Sequence, residues 1–396
     1  MSGPRLSGPR SSGGRRARPD GTLPRPLAYL AALGLAGATA VSVTLLPARA
    51  LPDLVPPSVS PAFARPRPPG APPSAATGPA SFVRFAEPGR DPGFDLADDA
   101  RRTGTRWYAL AHLVAGSAPC TAAWTTTSTP PSADEAPTPA PSPTLLADPG
   151  TTGDESAPVE KPRTTATDEE AGAGGEEERE RALATEIRTL RDEGGGAGLV
   201  LGGPRGRDLA AACPTPEGLA AAYGAAVSRL GAAYLDVEAR DAADRPAVVR
   251  RARALRLLQQ QRRLPVVFTL PLHEDGLAER DVAMLHQSRL YGADITTVNL
   301  LATVEPSGSS TGRLRRVASA VRAAVRQVAR VQGLDDPADA WRQVALTPVL
   351  DDAADLDETD ARALAAFAAR NDLAWLSLRG AEPEPAVARV LAHTLA

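Results

Sequence analysis

A pair of carboxylates ends a short apolar segment near the middle of the chain. Within Ala232–Glu238, the side chains of Tyr234, Asp236 and Glu238 occupy alternate positions, and apolar residues lie between them. Alternate side chains of a β-strand share one face, and their Cα atoms lie about 7 Å apart. Two carboxylates this close in a sheltered site do not both ionise readily, so one is expected to keep its proton near neutral pH. A protonated carboxyl beside an ionised one is the pair that cleavage of a glycosidic bond requires.

The residues around this D-x-E pattern leave a second interpretation open. Asp236 and Glu238 could instead belong to a solvated loop together with Arg240 and Asp241. Other chemistries are restricted by composition, because two cysteines and four histidines are too few for a zinc site built on cysteine pairs or for an iron–sulfur cluster. The formal charge of -3 gives no electrostatic reason to expect a nucleic-acid partner.

Short apolar runs alternate with segments of helical periodicity through most of the chain. Apolar strands separated by helices indicate a parallel sheet that helices cover on both faces. Eight such units predict an α/β fold, a (β/α)8 TIM barrel, with a doubly wound sheet as the alternative. No G-x-G-x-x-G or Walker A pattern follows any run, which disfavours that alternative. The predicted strands are Phe82–Ala86, Trp107–Ala115, Ala197–Leu201, Ala232–Glu238, Leu264–Leu270, Ile295–Thr303, Val344–Leu350 and Leu373–Leu378. The predicted helices include Glu177–Asp192, Arg207–Leu230, Arg245–Arg262, Ala278–Leu290, Arg313–Gln332 and Asp360–Asn371.

The first 80 residues differ in composition from the rest. Residues 1–26 contain six arginines, whereas residues 27–46 carry no charge. Residues 27–50 are therefore predicted to form a signal peptide or a transmembrane anchor, with residues 27–46 in contact with the membrane. Residues 51–80 are rich in proline and predicted to be a linker. Because basic flanks stay in the cytoplasm, the domain at 81–396 is expected to be extracellular or at the cell surface, either anchored or secreted.

Two further segments stand out within the domain. Residues 125–176 mix proline, serine and threonine with acids, and this composition predicts a disordered insertion. The segment Arg313–Gln332 is rich in arginine and is predicted to be the solvent-facing side of an outer helix. Binding of that helix to a membrane surface or an anionic polymer is the alternative. His112, inside an apolar run, is expected to be a core histidine.

The chain from about Phe82 onward resembles glycoside hydrolase family 18, the chitinase family, in its compact bacterial form. Several stretches carry the resemblance in the family's order, and together they cover nearly all of the predicted domain. These stretches are Trp107–Val114 followed by Cys120 and Trp124, Gly202-Gly203 with Gly206 and Cys213, Tyr234–Glu238, and Phe268–Pro271 leading to Val298–Leu301, completed by Trp341–Leu350, Asp360-Ala361 and Leu376–Leu378.

The resemblance implies a substrate-assisted, retaining hydrolysis of β-1,4-linked N-acetylglucosamine polymers or oligomers. The family motif is D-x-x-D-x-D-x-E. By position, Glu238 would be the general acid and base, and Asp236 would stabilise the oxazolinium intermediate. The resemblance implies no metal and no organic cofactor. The implied partner is a chitin-type glycan.

The chain also departs from the family's pattern. Gly231 and Tyr234 stand at the motif's first two Asp positions, and Val200 replaces a serine. Val304 replaces an aspartate that would hold the acetamido group. Arg379 aligns with the tryptophan that usually forms the floor of the site, and Trp375 lies one alternation deeper. The implied substrate-binding residues are Tyr234, Trp375, Arg379 and Asn299.

The two cysteines complete the set of candidate residues. The implied barrel puts Cys120 and Cys213 on adjacent units, and in an exported domain a disulfide between them is expected, with free thiols as the alternative. Three functions remain open: a chitinase-like hydrolase, a catalytically inactive carbohydrate-binding or scaffolding barrel, and a spacer from which the acidic insertion recruits a partner. The intact D-x-E favours the first function. The residues Tyr234, Val304, Val200 and Arg379 favour the second.

Overall fold

The computed structural model of the protein describes residue 79 and residues 81–129, 166–306 and 312–393. The predicted signal or anchor at 27–50, all of the 51–80 linker except residue 79, and most of the 125–176 insertion lie outside the described residues. Among the helices that the structure describes, none combines the length and apolar content needed to cross a membrane.

The described chain alternates strands and helices. The strands are β1 (Ser81–Ala86), β2 (Trp107–Ala115), β3 (Ala122–Trp124), β4 (Gly196–Gly202), β5 (Tyr234–Glu238), β6 (Val266–Pro271), β7 (Thr297–Thr303), β8 (Val344–Leu350) and β9 (Trp375–Gly380). The helices are α1 (Leu96–Thr103), α2 (Ala166–Asp192), α3 (Leu209–Ala212), α4 (Pro216–Leu230), α5 (Arg245–Gln261), α6 (Glu279–Leu290), α7 (Arg313–Gln332), α8 (Glu358–Asn371) and α9 (Pro385–His393).

Eight of these strands form a closed parallel barrel. Their order is β1-β9-β8-β7-β6-β5-β4-β2, and a direct pairing of β1 with β2 closes the ring. The predicted TIM barrel is thereby confirmed. Strand β3 adds to β2 in antiparallel fashion and stands outside the ring. Because the strands are parallel, their carboxyl ends meet at one mouth of the barrel, where catalytic groups lie in this fold.

Several elements differ from their predicted bounds. The segment predicted as one helix over 207–230 is two helices, since Pro214 interrupts it and Thr215 begins α4 by accepting a hydrogen bond from the Gly218 N–H. Helix α2 begins at Ala166, inside the stretch predicted as an insertion. The short elements α1, β3 and α9 were not predicted, because runs of three to nine residues carry little periodicity.

The barrel has two apolar layers. The outer layer packs the strands against the helices. The inner layer fills the lumen, where two aromatic rings, Tyr234 and Trp375, lie among small side chains. Gly198 on β4 makes this possible, because a Cβ atom there would lie 2.2 Å from the Tyr234 ring.

Cys120 and Cys213 are joined by a disulfide, with their Cα atoms 4.9 Å apart. The bond connects the segment between β2 and β3 to the end of α3. It closes a covalent loop across a sequence separation of 93 residues.

Candidate active site

Strand β5 aims its alternate side chains into the barrel, as the alternation predicts. Tyr234, Asp236 and Glu238 all line the cavity inside the lumen, and their exposed fractions are 1%, 4% and 1%. The backbone of β5 is paired on both sides, with β4 and β6. The alternative in which these acids belong to a solvated loop is therefore wrong.

Glu238 lies at the mouth of the barrel, and three basic side chains bind it. Arg379 donates from Nη1 to Oε2 over 2.6 Å, and His112 Nε2 lies 3.0 Å from the same oxygen. Arg240 donates from Nη2 to Oε1 over 3.0 Å. Arg379 Nη2 also lies 2.9 Å from His112 Nε2, so both bases converge on one carboxylate oxygen. A second acid, Glu87, lies 3.3 Å from His112 Nδ1 and extends the cluster.

These contacts determine the charge state of Glu238. Burial alone would raise its pKa, but Arg379, His112 and Arg240 outweigh burial and hold the pKa well below its usual range. Burial acts to lower the pKa of His112, but its hydrogen bonds to Glu238 and Glu87, together with the charge of Glu238, raise the pKa above its ordinary value. Glu238 is therefore an ionised carboxylate that accepts hydrogen bonds and has no proton to give.

Asp236 belongs to a separate series of hydrogen-bonded side chains deeper in the barrel. The Thr269 hydroxyl lies 2.7 and 2.8 Å from the two carboxylate oxygens of Asp236. Asn299 donates from Nδ2 to Thr269 Oγ1 over 3.0 Å, and Thr347 donates to Asn299 Oδ1 over 2.8 Å. Strands β5 to β8 each contribute one of these four side chains, so the hydrogen-bonded series crosses half of the barrel.

Burial raises the pKa of Asp236 to about 7; the hydrogen bond from Thr269 opposes this shift, and the charge of Glu238 adds to it. The two carboxylates therefore differ in protonation, as the spacing predicts. The carboxylate whose pKa is raised, however, is Asp236 and not Glu238, the residue to which the resemblance assigns the role of acid. The reason is that the cations lie at the mouth, beside Glu238.

The aromatic candidates lie inside the core. The Tyr234 hydroxyl donates to the Tyr108 carbonyl over 2.9 Å, and its ring lies 6.4 Å from the Trp375 ring. Trp375 is 5% exposed. With Asn299 in the hydrogen-bonded series and Arg379 on Glu238, each of the four implied substrate-binding residues is bound by a neighbour in the protein.

The lumen leaves little room for a ligand. The cavity beside Asp236 and Glu238 has a volume of about 10 Å³, which is about the space that one water molecule needs. A wider groove of about 600 Å³ lies outside it, and its lining includes Phe85, Glu87, Arg90 and Arg379. The Arg379 guanidinium stacks 4.5 Å from the Phe85 ring centre and separates this groove from Glu238.

Sequence reasoning missed part of this cluster. His112 was expected to be an ordinary core histidine, yet it touches both Glu238 and Glu87. No local signal could reveal this, since His112 and Glu238 are 126 residues apart. Val304 is buried, and its neighbour Glu305 is exposed and bound to Arg316 Nη2 over 2.6 Å, so Glu305 does not replace the missing aspartate.

Comparisons with known proteins agree with this fold. No family model matches the chain. A probable bifunctional chitinase/lysozyme of Escherichia coli (strain K12) is 28% identical over 127 residues, which are 30% of this chain and 14% of that protein. The chain thus matches a small part of that relative's length.

Two solved structures cover more of the chain. The catalytic domain of the hyperthermophilic chitinase from Pyrococcus furiosus superposes with a TM-score of 0.56 and 20% identity, over 80% of this chain and 95% of that one. A second structure is active domain 2 of a thermostable chitinase from Pyrococcus furiosus, determined as catalytic site mutants complexed with chito-oligosaccharides. It superposes with a TM-score of 0.57 and 19% identity, over 80% of this chain and 95% of that one. The described chain therefore has the (β/α)8 fold of the glycoside hydrolase family 18 chitinases.

Proposed function

We propose that this protein is a non-hydrolytic barrel of the chitinase fold, a carbohydrate-binding or scaffolding module derived from a glycoside hydrolase of family 18. One observation carries the proposal: Glu238 is 1% exposed and bound by Arg379, Arg240 and His112. A general acid must hold a proton and reach the leaving oxygen of the substrate. An ionised carboxylate enclosed by cations meets neither condition.

The lumen supports the same proposal. Substrate-assisted hydrolysis needs an N-acetyl group beside the Asp-x-Glu pair, and a cavity of about 10 Å³ does not admit one. Tyr234 and Val304, where the family places carboxylates, supply neither charge nor an acceptor directed at a sugar. The outer groove beside Phe85, which shares Arg379 with the lumen cavity, is the surface at which a chitin-type glycan would bind.

The test is turnover of a chromogenic N-acetylglucosamine oligomer by the full chain and by Glu238→Gln, with calorimetric titration of the unlabelled oligomer. We expect background turnover from both proteins. Binding of the oligomer would assign the carbohydrate-binding form, and its absence would assign the scaffolding form. Turnover by the natural protein that Glu238→Gln abolishes would refute the proposal.

A second candidate is a chitinase-like hydrolase in which Glu238 is the acid and base and Asp236 stabilises the intermediate. The D-x-E order and the raised pKa of Asp236 favour it. This function requires Arg379 to leave Glu238, because the guanidinium binds the Oε2 oxygen of Glu238 and lines both the lumen cavity and the outer groove. Arg379→Ala is the direct test: turnover that appears in this variant and disappears in Arg379→Ala/Glu238→Gln would show a latent hydrolase.

We also propose that residues 27–50 export the barrel as an anchor or a signal peptide, and that residues 51–80 hold it at the cell surface. Composition supports this location, and the disulfide between Cys120 and Cys213 fits an oxidising compartment. External protease added to intact cells should degrade the barrel, whereas a cytosolic marker protein should survive. Protection of the barrel until the cells are lysed would contradict this location.

A further inference from the structure

Helix α7 presents a row of arginines on the outside of the barrel. Arg315, Arg322, Arg326 and Arg330 are all exposed. Their spacings of seven, four and four residues put them on one face of the helix. With a rise of about 1.5 Å per residue, the row extends over roughly 22 Å. The helix contains no acidic residue over its 20 positions.

The acids near this helix do not neutralise the row. Asp360 binds Arg313, and Glu305 binds Arg316, both of which lie outside it. Among the residues that the structure describes, no ion pair joins a carboxylate to any of the four arginines. Glu274 and Asp275 lie beside Gly276, in a loop that packs against α7 next to Ala323 and Gln327, on the flank of the row.

A second observation concerns the neighbouring helix α6. Its last residue, Leu290, has 71% of its surface exposed and is the large hydrophobic residue that stands out on the described surface. Its neighbour Arg289 donates to the carbonyl of Val331 at the end of α7, so this leucine lies near the carboxyl-terminal end of the row. An exposed apolar side chain beside a row of cations matches the interface between lipid headgroups and acyl chains.

We propose that the exposed face of α7, with Leu290 at its end, docks the barrel on an anionic membrane surface. Arginine stems pack against apolar material while their guanidinium groups bind phosphate. A row of exposed arginines along one helix face can contact several headgroups at once. An anionic polymer would use the charges but gain nothing from Leu290, so the membrane is favoured.

The test follows residue 319, which is an exposed serine on the same face of α7. Since both natural cysteines are disulfide-bonded, Ser319→Cys supplies one thiol for an environment-sensitive fluorophore. The labelled full chain is mixed with, or reconstituted into, vesicles of phosphatidylcholine alone or with 30% phosphatidylglycerol, a fraction of about one third chosen to give a clear surface potential. We expect a blue shift with anionic vesicles that 0.5 M salt reverses, because salt at roughly this strength screens charges beyond a few ångströms.

Substitution of the row should weaken docking. Each basic residue near an anionic surface contributes about fivefold, so Arg315→Gln/Arg326→Gln/Arg330→Gln should lower the docking constant roughly 100-fold. The matched control changes three exposed arginines elsewhere, Arg106→Gln/Arg188→Gln/Arg263→Gln, and should leave docking unchanged. Circular dichroism establishes that both variants are folded.

Three outcomes would overturn the proposal. The shift could be equal with neutral and anionic vesicles, or the two triple variants could behave alike. The third is a shift with short duplex DNA or heparin but none with anionic vesicles, which would identify a polymer site in place of a membrane surface. None of these readouts depends on hydrolysis or glycan binding.

Discussion

Glu238 and Asp236 share one strand face, yet their pKa values are shifted in opposite directions, and the difference arises from what each touches. Arg379, Arg240 and His112 surround Glu238 at the mouth, whereas Asp236 lies deeper and receives hydrogen bonds from the Thr269 hydroxyl. The same spacing that would serve a glycosidase therefore serves an ion cluster here. A carboxylate pair becomes catalytic through its neighbours, and these neighbours remove the proton from the residue that would need it.

The ion cluster should make Glu238 important for stability. Glu238→Gln removes the carboxylate that Arg379 and Arg240 bind and leaves Glu87, beside His112, as the remaining acid of the cluster. Breaking a buried ion pair typically costs about 3 kcal/mol or more. Urea unfolding should show a loss of that order. Removal of Arg379 as well, in Glu238→Gln/Arg379→Met, should restore part of the loss. A single variant as stable as the natural protein would mean that the cluster does not hold the mouth closed.

Asp236 should give the protein a distinct dependence on pH. Its pKa of about 7 in the folded state lies above the ordinary value of 3.8. The folded state therefore binds this proton more tightly, and the stabilisation it provides below pH 3.8 is lost as the pH rises to 7. The slope is at most about 1.4 kcal/mol per pH unit.

Unfolding by urea at pH 5, 6 and 7 tests this dependence. Between pH 5 and pH 7, the free energy of unfolding should fall less in Asp236→Asn than in the natural protein. The stability of the variant relative to the natural protein should therefore rise with pH. Glu274→Gln removes an exposed acid and serves as the control. Parallel curves for the natural protein and Asp236→Asn would contradict the raised pKa.

At the scale of elements, the pairing of β4 with β5 decides what the lumen contains. Gly198 lies opposite Tyr234 in this pairing, and the ring occupies the space that a side chain on β4 would take. The barrel interior is consequently filled by an aromatic ring at this level. The helices contribute by fixing strand ends: Gly231 adopts a left-handed conformation that ends α4 just before β5.

Substitutions at two glycines distinguish the effect of packing in the lumen from the effect of helix propensity. Gly198→Ala would place its Cβ 2.2 Å from the Tyr234 ring, and overpacking of this kind costs about 1 to 3 kcal/mol. Gly224→Ala, inside α4, meets its nearest atom, Leu258 Cδ1, at 3.4 Å and should stabilise the protein by about 0.5 to 1 kcal/mol. Thermal unfolding should therefore move in opposite directions in the two variants. A shift in the same direction would show that Tyr234 moves aside freely.

At the scale of the whole molecule, the sequence predicted the architecture better than the site. The apolar runs of β1, β2 and β8 are nearly continuous, so their type and position could be identified from local pattern, and the alternation in β5 predicted which side chains face inward. The ion cluster could not be predicted in the same way. His112 on β2 and Arg379 on β9 meet Glu238 because the barrel closes, across separations of 126 and 141 residues.

The covalent link between Cys120 and Cys213 has a consequence for processing of the chain. A single backbone cut anywhere between these residues leaves two fragments that the sulfur bridge still joins. A nicked molecule would migrate as a single band on a non-reducing gel and as two bands after dithiothreitol. Proteolytic cleavage of the segment between the two cysteines would therefore leave both fragments attached to each other.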